Sequence, residues 1–535
     1  MTGEGRAAMT LPDRLNLGAL VDCRGAADRT ALVCDGGAIS FGMLGRATDA
    51  IAHAVHAGEL RGSRLVVAAS GSSTRGRGRR GRRIAIVSGN RPEFIAIMFG
   101  AMRAGCTVVP INPRQSIDIT LEVLDEIEPA LVFVERAIRA ALPPEMPCVE
   151  IESLGLDLAS GSGDPHNGAG ASTQPTDRFD ATPVDDDALA EILFTSGSTG
   201  RPRGVPLTHR GQVWFLNTFL DATGWSPEIA LVAAPLFHMN ALIRVKCALA
   251  TGGQVVLQRS FSPEAYLQAI EDHRVTLLTG VPTMYAILLE RRDLLRRIDT
   301  SSVTRLMLGS GAASPDLVDA LRQAFPKATI GIAYGLTEAG GTVSSTLVPA
   351  DGATPPRGSV GRPLPGVELR FGERDGEANQ GVLHLRSPAL ATGYFKRPEQ
   401  TADRFHDGWL KTNDVLRRDD AGWLYFLGRA DDMYVCGGEN VYPAQIEARL
   451  LGHPQVAQAA VVAVPDRIKG QVAFAFVVLR GSCSISPSGL QAHLAAGAPS
   501  HLHAHHLRLL EAMPLNSANK VDLAHLRRMA IELST

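Results

Sequence analysis

The chain has 535 residues, 45% apolar and 20% charged, a balance typical of folded globular proteins. This length exceeds what one hydrophobic core usually organises, so we expect at least two domains. Lysine and arginine total 53 against 55 acidic residues, which argues against nucleic acid or an anionic membrane as the main partner. Seven scattered cysteines without a CxxC pair argue against a disulfide framework or a zinc site. Without a signal-peptide core or an apolar run long enough for a membrane span, the chain is expected to be a cytoplasmic enzyme with no stable membrane insertion.

Apolar runs that end at Gly, Pro or Asn alternate with longer helical patterns, which predicts layered α/β structure with several sheets. Two segments predict loops: the basic run 70–83 and the Gly-, Ser- and Asp-rich stretch 158–186. A charge run is usually a solvated loop face, so the basic run does not by itself indicate a nucleic-acid partner. The predicted strands in chain order are IAIVSGN, CTVVPIN, ALVFVE, EILFTS, ALVAAP, QVVLQ, TLLTGVP and RLMLGS.

A run of hydroxyl-bearing residues and glycines that ends in basic residues directly follows the predicted strand EILF. Glycines let backbone N–H groups approach an anion, hydroxyls add donors and arginine adds charge, so this loop suits a polyphosphate. It is not a Walker P-loop, because GxxxxGK[ST] is absent. By composition alone, an ordinary flexible turn is the alternative. The run consists of Thr195, Ser196, Gly197, Ser198, Thr199, Gly200, Arg201, Pro202, Arg203 and Gly204.

Further short strings follow this loop, and each is weak when taken alone. They are Gly309–Ala313, the YGLTE string Tyr334–Glu338, Thr412–Asp414, the run Gly428–Gly438, and Pro514–Lys520. A strand-end turn, a tight Gly-Gly turn and a solvent-facing lysine are the ordinary alternatives. Taken together and in this order, the strings resemble the motifs of the adenylate-forming superfamily, most of all the AMP-dependent acyl- and aryl-CoA ligases. The resemblance extends over nearly the whole chain.

The resemblance implies a fold and a division into domains. The fold expected is α/β, with a large N-terminal domain of layered α/β sheets plus a β-rich subdomain, and a small mobile α+β C-terminal domain. Residues 1–428 would form the large domain, which holds ATP and the acid, and residues 429–535 the small one.

The resemblance also implies the nucleotide site. The loop from Thr195 to Arg203 would bind phosphate. Tyr334 would stack on adenine beside Gly335, Thr337 would meet the phosphate, and Glu338 would hold Mg²⁺. Each role suits its chemistry, since an aromatic face fits a purine and a hard carboxylate fits a hard cation. Gly311, Ala312 and Ala313 would lie beside adenine and the acyl group. Asp414 would bind both ribose hydroxyls, and Arg429 would reach ribose and phosphate.

The last motifs imply catalysis and domain movement. Lys520 would be the catalytic lysine of acyl-AMP formation, and Asp431 the hinge about which the small domain rotates. Gly437 and Gly438 would then border the pantetheine arm of CoA. His238, in the string PLFHMN, would orient the activated carboxylate, although a lone histidine after a strand is more often a packed or capping residue.

The chain departs from the family pattern at several positions. Arg203 replaces the usual lysine, and Asn413 and Asn519 replace glycines; asparagine tolerates the left-handed conformation, so the turn at Asn519 can survive. Arg244 and Lys246 interrupt a helix that is usually apolar, and they would either bind a second polar group on the acid or lie on an exposed helix face. The segment His503, His505 and His506 stands where many CoA ligases carry basic residues, which would weaken CoA binding or make it pH-dependent.

The predicted function is therefore ATP-dependent activation of a carboxylic acid to acyl-AMP, followed by transfer to CoA. The partners are a small-molecule carboxylic acid, ATP, Mg²⁺ and CoA, and a homodimer stays open. One alternative is an acyl-AMP ligase that loads a carrier-protein phosphopantetheine. Another is a nucleotide-binding homologue without catalysis, against which Glu338, Asp414, Arg429 and Lys520 together count. Aryl, alicyclic and medium-chain acids all remain candidates.

Overall fold

The computed structural model describes residues 11–12, 15–22, 27–57, 81–156, 158, 178–196, 201–311, 313–348, 353–372, 379–481, 483–496, 498–516 and 519–534. Most of the basic run 70–83 and the first part of the predicted loop 158–186 lie outside these residues. The described remainder of the second loop, 178–186, contains no helix or strand. Every strand predicted from the sequence corresponds to an observed strand.

The strands, in chain order, are β1 (Thr30–Cys34), β2 (Gly37–Ser40), β3 (Arg83–Val87), β4 (Thr107–Ile111), β5 (Leu131–Val134), β6 (Cys148–Glu150), β7 (Leu189–Ser196), β8 (Pro202–Thr208), β9 (Ile229–Val232), β10 (Gln254–Leu257), β11 (Leu277–Gly280), β12 (Arg305–Leu308), β13 (Thr329–Leu336), β14 (Gly341–Ser345), β15 (Arg362–Pro363), β16 (Glu368–Phe371), β17 (Gln380–Arg386), β18 (Phe405–His406), β19 (Trp409–Arg418), β20 (Leu424–Arg429), β21 (Tyr434–Cys436), β22 (Glu439–Val441), β23 (Val456–Asp466), β24 (Gly470–Leu479) and β25 (Ala504–Leu509).

The α-helices are α1 (Phe41–Ala57), α2 (Pro92–Arg103), α3 (Ile117–Ile127), α4 (Arg136–Arg139), α5 (His209–Ala222), α6 (Met239–Thr251), α7 (Pro263–Asp272), α8 (Pro282–Glu290), α9 (Arg292–Leu295), α10 (Pro315–Ala324), α11 (Pro398–Arg404), α12 (Pro443–Leu451), α13 (Pro487–Ala495) and α14 (Leu523–Ser534). No helix in the described part of the chain is long and apolar enough to cross a membrane.

Two large sheets form the N-terminal region. One has the strand order β6-β5-β3-β4-β7-β8, and the other has the order β15-β14-β13-β12-β11-β9-β10-β1-β2. In the first sheet the strands from β6 to β7 pair in parallel, and in the second sheet those from β13 to β1 do so. Strands β3, β4 and β5 are buried almost throughout, as expected for strands covered by helices on both faces. Helix α2 packs between these layers, with Phe94 and Phe99 fully buried.

The remaining strands form two smaller antiparallel-rich sheets. The first, β16-β17-β19-β18 with β20 beside β19, is the predicted β-rich subdomain. The second, β22-β21-β24-β23 with β25 beside β24, packs against α12, α13 and α14 around its own core, which extends from Tyr434 to Ala530. The predicted fold class is therefore confirmed. Strand β20 ends at Arg429 and the second core begins at Tyr434, while the boundary between residues 428 and 429 stays a prediction.

Candidate active site

A cleft of about 430 Å³ opens where the carboxyl ends of β12 and β13 meet the β7–β8 hairpin, the β19–β20 hairpin and the turn before α14. The carboxyl ends of parallel strands are the usual position for ligands in α/β sheets. The predicted site residues that line this cleft are Thr195, Arg203, Gly311, Tyr334, Gly335, Thr337, Glu338, Asp414, Arg429 and Lys520. Residues up to 325 positions apart in the sequence are thus brought to one place.

Other predicted residues lie elsewhere or outside the described part. Ala313 is described but does not line the cleft, and the Gly437–Gly438 turn is exposed outside it. Gly197, Ser198, Thr199, Gly200 and Ala312 lie outside the described residues, as does the side chain of Ser196. The positions of the phosphate loop that can be examined are therefore its two ends, on β7 and β8.

The residues predicted to bind adenine and ribose, Tyr334 and Asp414, are joined by a hydrogen bond. Tyr334, at the end of β13, donates from its hydroxyl to Asp414 Oδ2 at 2.7 Å, and its ring packs 6.5 Å from that of Phe426. Burial raises the pKa of Asp414 above its ordinary value, although the Tyr334 hydroxyl and the charge of Arg429 favour the carboxylate. The hydroxyl therefore orients the carboxylate predicted to bind ribose.

A second chain of contacts connects Glu338 with Arg203. Glu338 Oε1 accepts a hydrogen bond of 2.9 Å from the Tyr394 hydroxyl, and the Arg203 guanidinium lies 5.0 Å above the Tyr394 ring. Burial and the neighbouring Glu338 raise the pKa of Tyr394 to about 12, so its hydroxyl remains a donor at neutral pH. Arg203 Nε is buried without a hydrogen-bond partner in the described residues. The cation–π contact fits a planar guanidinium better than the ammonium of the lysine that is usual here.

The end of β20 carries a network at the predicted hinge. Arg429 donates through Nε and Nη2 to the two carboxylate oxygens of Asp431, at 3.0 and 3.1 Å, and Asn413 Nδ2 donates to Asp431 Oδ2 at 3.1 Å. Burial opposes ionisation of Asp431, but the hydrogen bonds and charge of Arg429 outweigh it and lower the pKa of this carboxyl. The asparagine that replaces the usual glycine thus bonds directly to the hinge residue.

Lys520 reaches the cleft from a turn held by the Asn516 side chain and by backbone hydrogen bonds. Asn519 adopts φ +58°, the left-handed conformation expected for it, and Asn516 Oδ1 accepts from the Lys520 backbone N–H at 3.1 Å. The Lys520 side chain stays accessible to water because the cleft is open, yet protein atoms surround it. This partial loss of hydration, together with the positive charge of Arg429, lowers the pKa of the ammonium.

His238 caps the start of α6 beside the cleft. Its ring lies 4.7 Å from that of Phe237, and its Nε2 is buried without a partner in the described residues. Burial and the nearby Lys520 charge lower the pKa of His238 to about 4, so the imidazole is neutral at pH 7. A neutral imidazole with an unpaired nitrogen can orient a carboxylate without adding charge.

The histidine segment makes ordinary structural contacts. His505 Nε2 lies 2.9 Å from Lys469 Nζ, and the ring of His506 stacks on Phe474 at 5.4 Å. His503 Nε2 lies 3.0 Å from the carbonyl oxygen of Ala498. Among the described residues, no group of three or more His, Cys, Asp or Glu could hold a metal ion.

Some residues were predicted wrongly from the sequence, and others in or beside the cleft were not predicted. An exposed helix face was one expectation for Arg244 and Lys246, and it is wrong for both, because both are buried. Lys246 is bound by Glu191 and Gln212, away from the cleft, so it does not bind the acid. Tyr394 and the Asn413–Asp431 bond were not predicted, since only the fold brings them to the site.

Comparison with known proteins identifies the family of the chain. Residues 75–395 match the family model for the AMP-binding enzyme, and residues 445–520 match that for the AMP-binding enzyme C-terminal domain. The feruloyl-CoA synthase of Amycolatopsis sp is 33% identical over 457 residues, 84% of this chain and 89% of the relative. The fatty acid–[acyl-carrier-protein] ligase ScoC of Streptomyces coeruleorubidus is 30% identical over 516 residues, 93% of this chain and 92% of the relative.

Among solved structures, the o-succinylbenzoate CoA synthetase of Bacillus subtilis in complex with its acyl-adenylate intermediate superimposes with a TM-score of 0.75. It is 25% identical, and the match covers 96% of this chain and 97% of that one. Since the family models match more than half of the chain, and a relative 33% identical matches over 84% of it, the chain belongs to the AMP-binding, adenylate-forming enzymes.

Proposed function

We propose that the protein activates a carboxylic acid with ATP, releasing pyrophosphate, and then transfers the acyl group from acyl-AMP to the CoA thiol, releasing AMP. The observation that carries this proposal is one cleft lined by Glu338, Asp414, Arg429 and Lys520. These side chains supply the carboxylates and cations that nucleotide binding and charge stabilisation require. They come from the end of β13, from the β19–β20 hairpin and from the turn before α14. A non-catalytic homologue would have no need to retain all four.

The first half-reaction is acyl-AMP formation. The acid attacks the α-phosphate of ATP, the bond to pyrophosphate breaks, and the negative charge that accumulates must be stabilised. Lys520, Arg203 and Arg429 lie around the cleft and supply positive charge. Asp414 holds the ribose, while His238, neutral at pH 7, orients the acid.

Magnesium would be held at Glu338 and would neutralise phosphate charge. Glu338 Oε1 accepts from Tyr394, which leaves Oε2 without a hydrogen bond from the described residues. Mg²⁺ is usually held by one or two protein carboxylates together with substrate phosphates, so a single carboxylate beside a phosphate loop fits.

The second half-reaction needs a thiol at the position that pyrophosphate leaves. We assign residues 1–428 to the large domain and 429–535 to the small one, which rotates about Asp431 to withdraw Lys520 and bring in Gly437 and Gly438. These glycines form the turn between β21 and β22, with φ of +61° and +93°, and a side chain added to either would meet nothing within 4 Å. An open glycine turn leaves backbone for a pantetheine arm to approach.

A carrier-protein phosphopantetheine is the second candidate acceptor. It is favoured by the similarity to an acyl-carrier-protein ligase over 93% of the chain. We also propose a cytoplasmic location, which is consistent with the free thiols of the cysteines in the described residues. A homodimer stays a prediction.

Pyrophosphate release on a library of carboxylic acids, followed by thioester formation, tests the function. We expect ATP-dependent pyrophosphate release with some acids, and thioester formation when CoA is added. Thioester on a phosphopantetheinylated carrier protein but not on CoA would establish the second acceptor. No release with any acid, despite ATP binding measured by calorimetry, would contradict catalysis and favour a binding protein.

A further inference from the structure

Helix α6 carries a positive charge inside the molecule. Arg244 is 4% exposed and lines the cleft, as do Ile243, Asn240 and Met239, which precede it by one, four and five residues. The Arg244 guanidinium lies 5.3 Å from the ring centre of Phe219 and 5.5 Å from that of Trp225. Arginine stays protonated in proteins, so this is a permanent buried cation. The aromatic rings attract it, but they satisfy none of its N–H groups.

Arg244 has no anionic partner within the described residues. Its Nε and Nη1 are buried and make no hydrogen bond. The other lysine and arginine side chains that are buried in the described residues are paired. Arg103 pairs with Asp49 and Asp22, and Lys246 pairs with Glu191. A buried charge without a partner lowers the free energy of unfolding, so Arg244 destabilises the fold unless a ligand supplies the missing anion.

A second donor on the same face of α6 also lacks a partner. Asn240 Nδ2 is buried without a hydrogen bond in the described residues, and Asn240 lines the cleft one turn before Arg244. Residues four apart on a helix are neighbours on its surface, so the two donors lie side by side. His238 lies at the start of the same helix, and six residues of helix rise about 9 Å, so Arg244 is remote from the end where His238 would orient the reacting carboxylate.

We propose that Arg244, with Asn240 beside it, binds a second carboxylate at the far end of the acid, and that the substrate class is dicarboxylic acids with several carbons or a ring between the two groups. A guanidinium presents parallel donors that match a carboxylate in a bidentate arrangement. A monocarboxylic acid of the same length would leave these donors unpaired, and a site built around hydrogen-bond donors rejects such an analogue strongly. This assignment rests on the proposed function, because it assumes that the cleft activates an acid.

Matched sets of acids test the assignment. Each set has a dicarboxylic acid, its monomethyl ester and the monocarboxylic acid of equal length. Examples are suberic acid, monomethyl suberate and octanoic acid, or 4-carboxycinnamic acid, its distal ester and 4-methylcinnamic acid. Linear diacids of three to ten carbons scan the spacing. Pyrophosphate release gives kcat/KM for the parent protein, for Arg244→Met and for a matched control, Arg305→Met. Arg305 also lies over Trp225, at 5.6 Å, but pairs with Glu228 and does not line the cleft.

We expect the parent protein to use the best diacid at least about 100-fold better than its monoacid partner. Arg244→Met should remove or invert this preference, because an apolar side chain accepts the alkyl end. Arg305→Met should keep the parent preference. Thermal melting would reveal whether Arg244→Met is unstable. Even then, the comparison of diacid with monoacid in the parent protein still tests the assignment.

Three results would overturn the assignment. In the first, the parent protein prefers monoacids. In the second, it uses the diacid and its monomethyl ester with equal kcat/KM. In the third, Arg244→Met lowers kcat/KM equally for the diacid and its matched monoacid. In each of them the protein still releases pyrophosphate with some acid, so the proposed function survives. If no acid of any set led to pyrophosphate release, the proposed function itself would be contradicted.

Discussion

Two turns on the small C-terminal region carry predicted functional residues, and only one of them lies in the cleft. The turn before α14 carries Lys520 to the cleft that Glu338, Asp414 and Arg429 also line. The turn between β21 and β22, Gly437–Gly438, lies outside the cleft and is exposed. Both belong to a region with its own hydrophobic core, from Tyr434 to Ala530.

The two turns also differ in how they are built. Side-chain and backbone bonds of Asn516 and Asn519 hold the lysine turn, whereas the glycine turn has two positive φ values and open space around it. The lysine turn is thus built to hold a charge in place, whereas the glycine turn leaves room around its backbone. Since both project from one packed unit, we propose that the present arrangement serves the first half-reaction, and that the second requires rotation.

The largest effect is expected from Lys520→Ala. Removing one charge that stabilises the transition state should slow acyl-AMP formation about 100- to 1,000-fold, while thioester formation from supplied acyl-AMP stays near the parent rate. Pyrophosphate release and single-turnover thioester assays measure the two steps. An equal loss in both would contradict the assignment of the two turns to separate steps.

Gly438→Leu should give the opposite pattern. A side chain in the proposed thiol channel should lower thioester formation about 100-fold through misplacement of the acceptor, with pyrophosphate release unchanged. Because φ is +93°, any side chain here is strained. Gly422→Leu is the control, since Gly422 has φ +83° and nothing within 4 Å but lies on the β19–β20 hairpin. If both variants keep the parent thioester rate, Gly438 is not part of the channel.

Asp414→Ala should affect both steps alike, because the ribose site belongs to the large domain. Loss of hydrogen bonds to a charged group should raise the KM for ATP about tenfold. Tyr334→Phe removes only the hydroxyl that donates to Asp414, so it should have a smaller effect in the same direction. An unchanged dependence on ATP in Asp414→Ala would show that this carboxylate does not hold ribose.

The smallest effect is expected at the hinge, from Asn413→Gly. This change removes the bond from Asn413 to Asp431 and leaves the Arg429–Asp431 pair intact. If that bond holds the first arrangement, steady-state thioester turnover should rise about two- to fivefold, with single-turnover acyl-AMP formation unchanged. A turnover rate that stays the same or falls would mean that the bond does not limit rotation.

Much of the site was predictable because local chemistry restricts it. The phosphate loop, the YGLTE string and the terminal lysine are short strings whose residue types match their ligands, and their order identifies the family. The left-handed Asn519 was also predictable, since asparagine is one of few residues that tolerate this conformation. The strands of the parallel sheets were predictable because buried strands appear as continuous apolar runs.

The family, the fold class and the residue types available for catalysis can be read from the sequence alone. Which of these residues meet depends on the tertiary structure. Tyr334 and Asp414 are 80 residues apart, and Lys246 and Glu191 are 55 apart, so no local pattern relates them. Arg244 and Lys246 are both basic residues of α6, yet Lys246 is paired with Glu191 and Arg244 lines the cleft. Helical periodicity defines a side chain's face, but burial and partners depend on what other segments pack against that face.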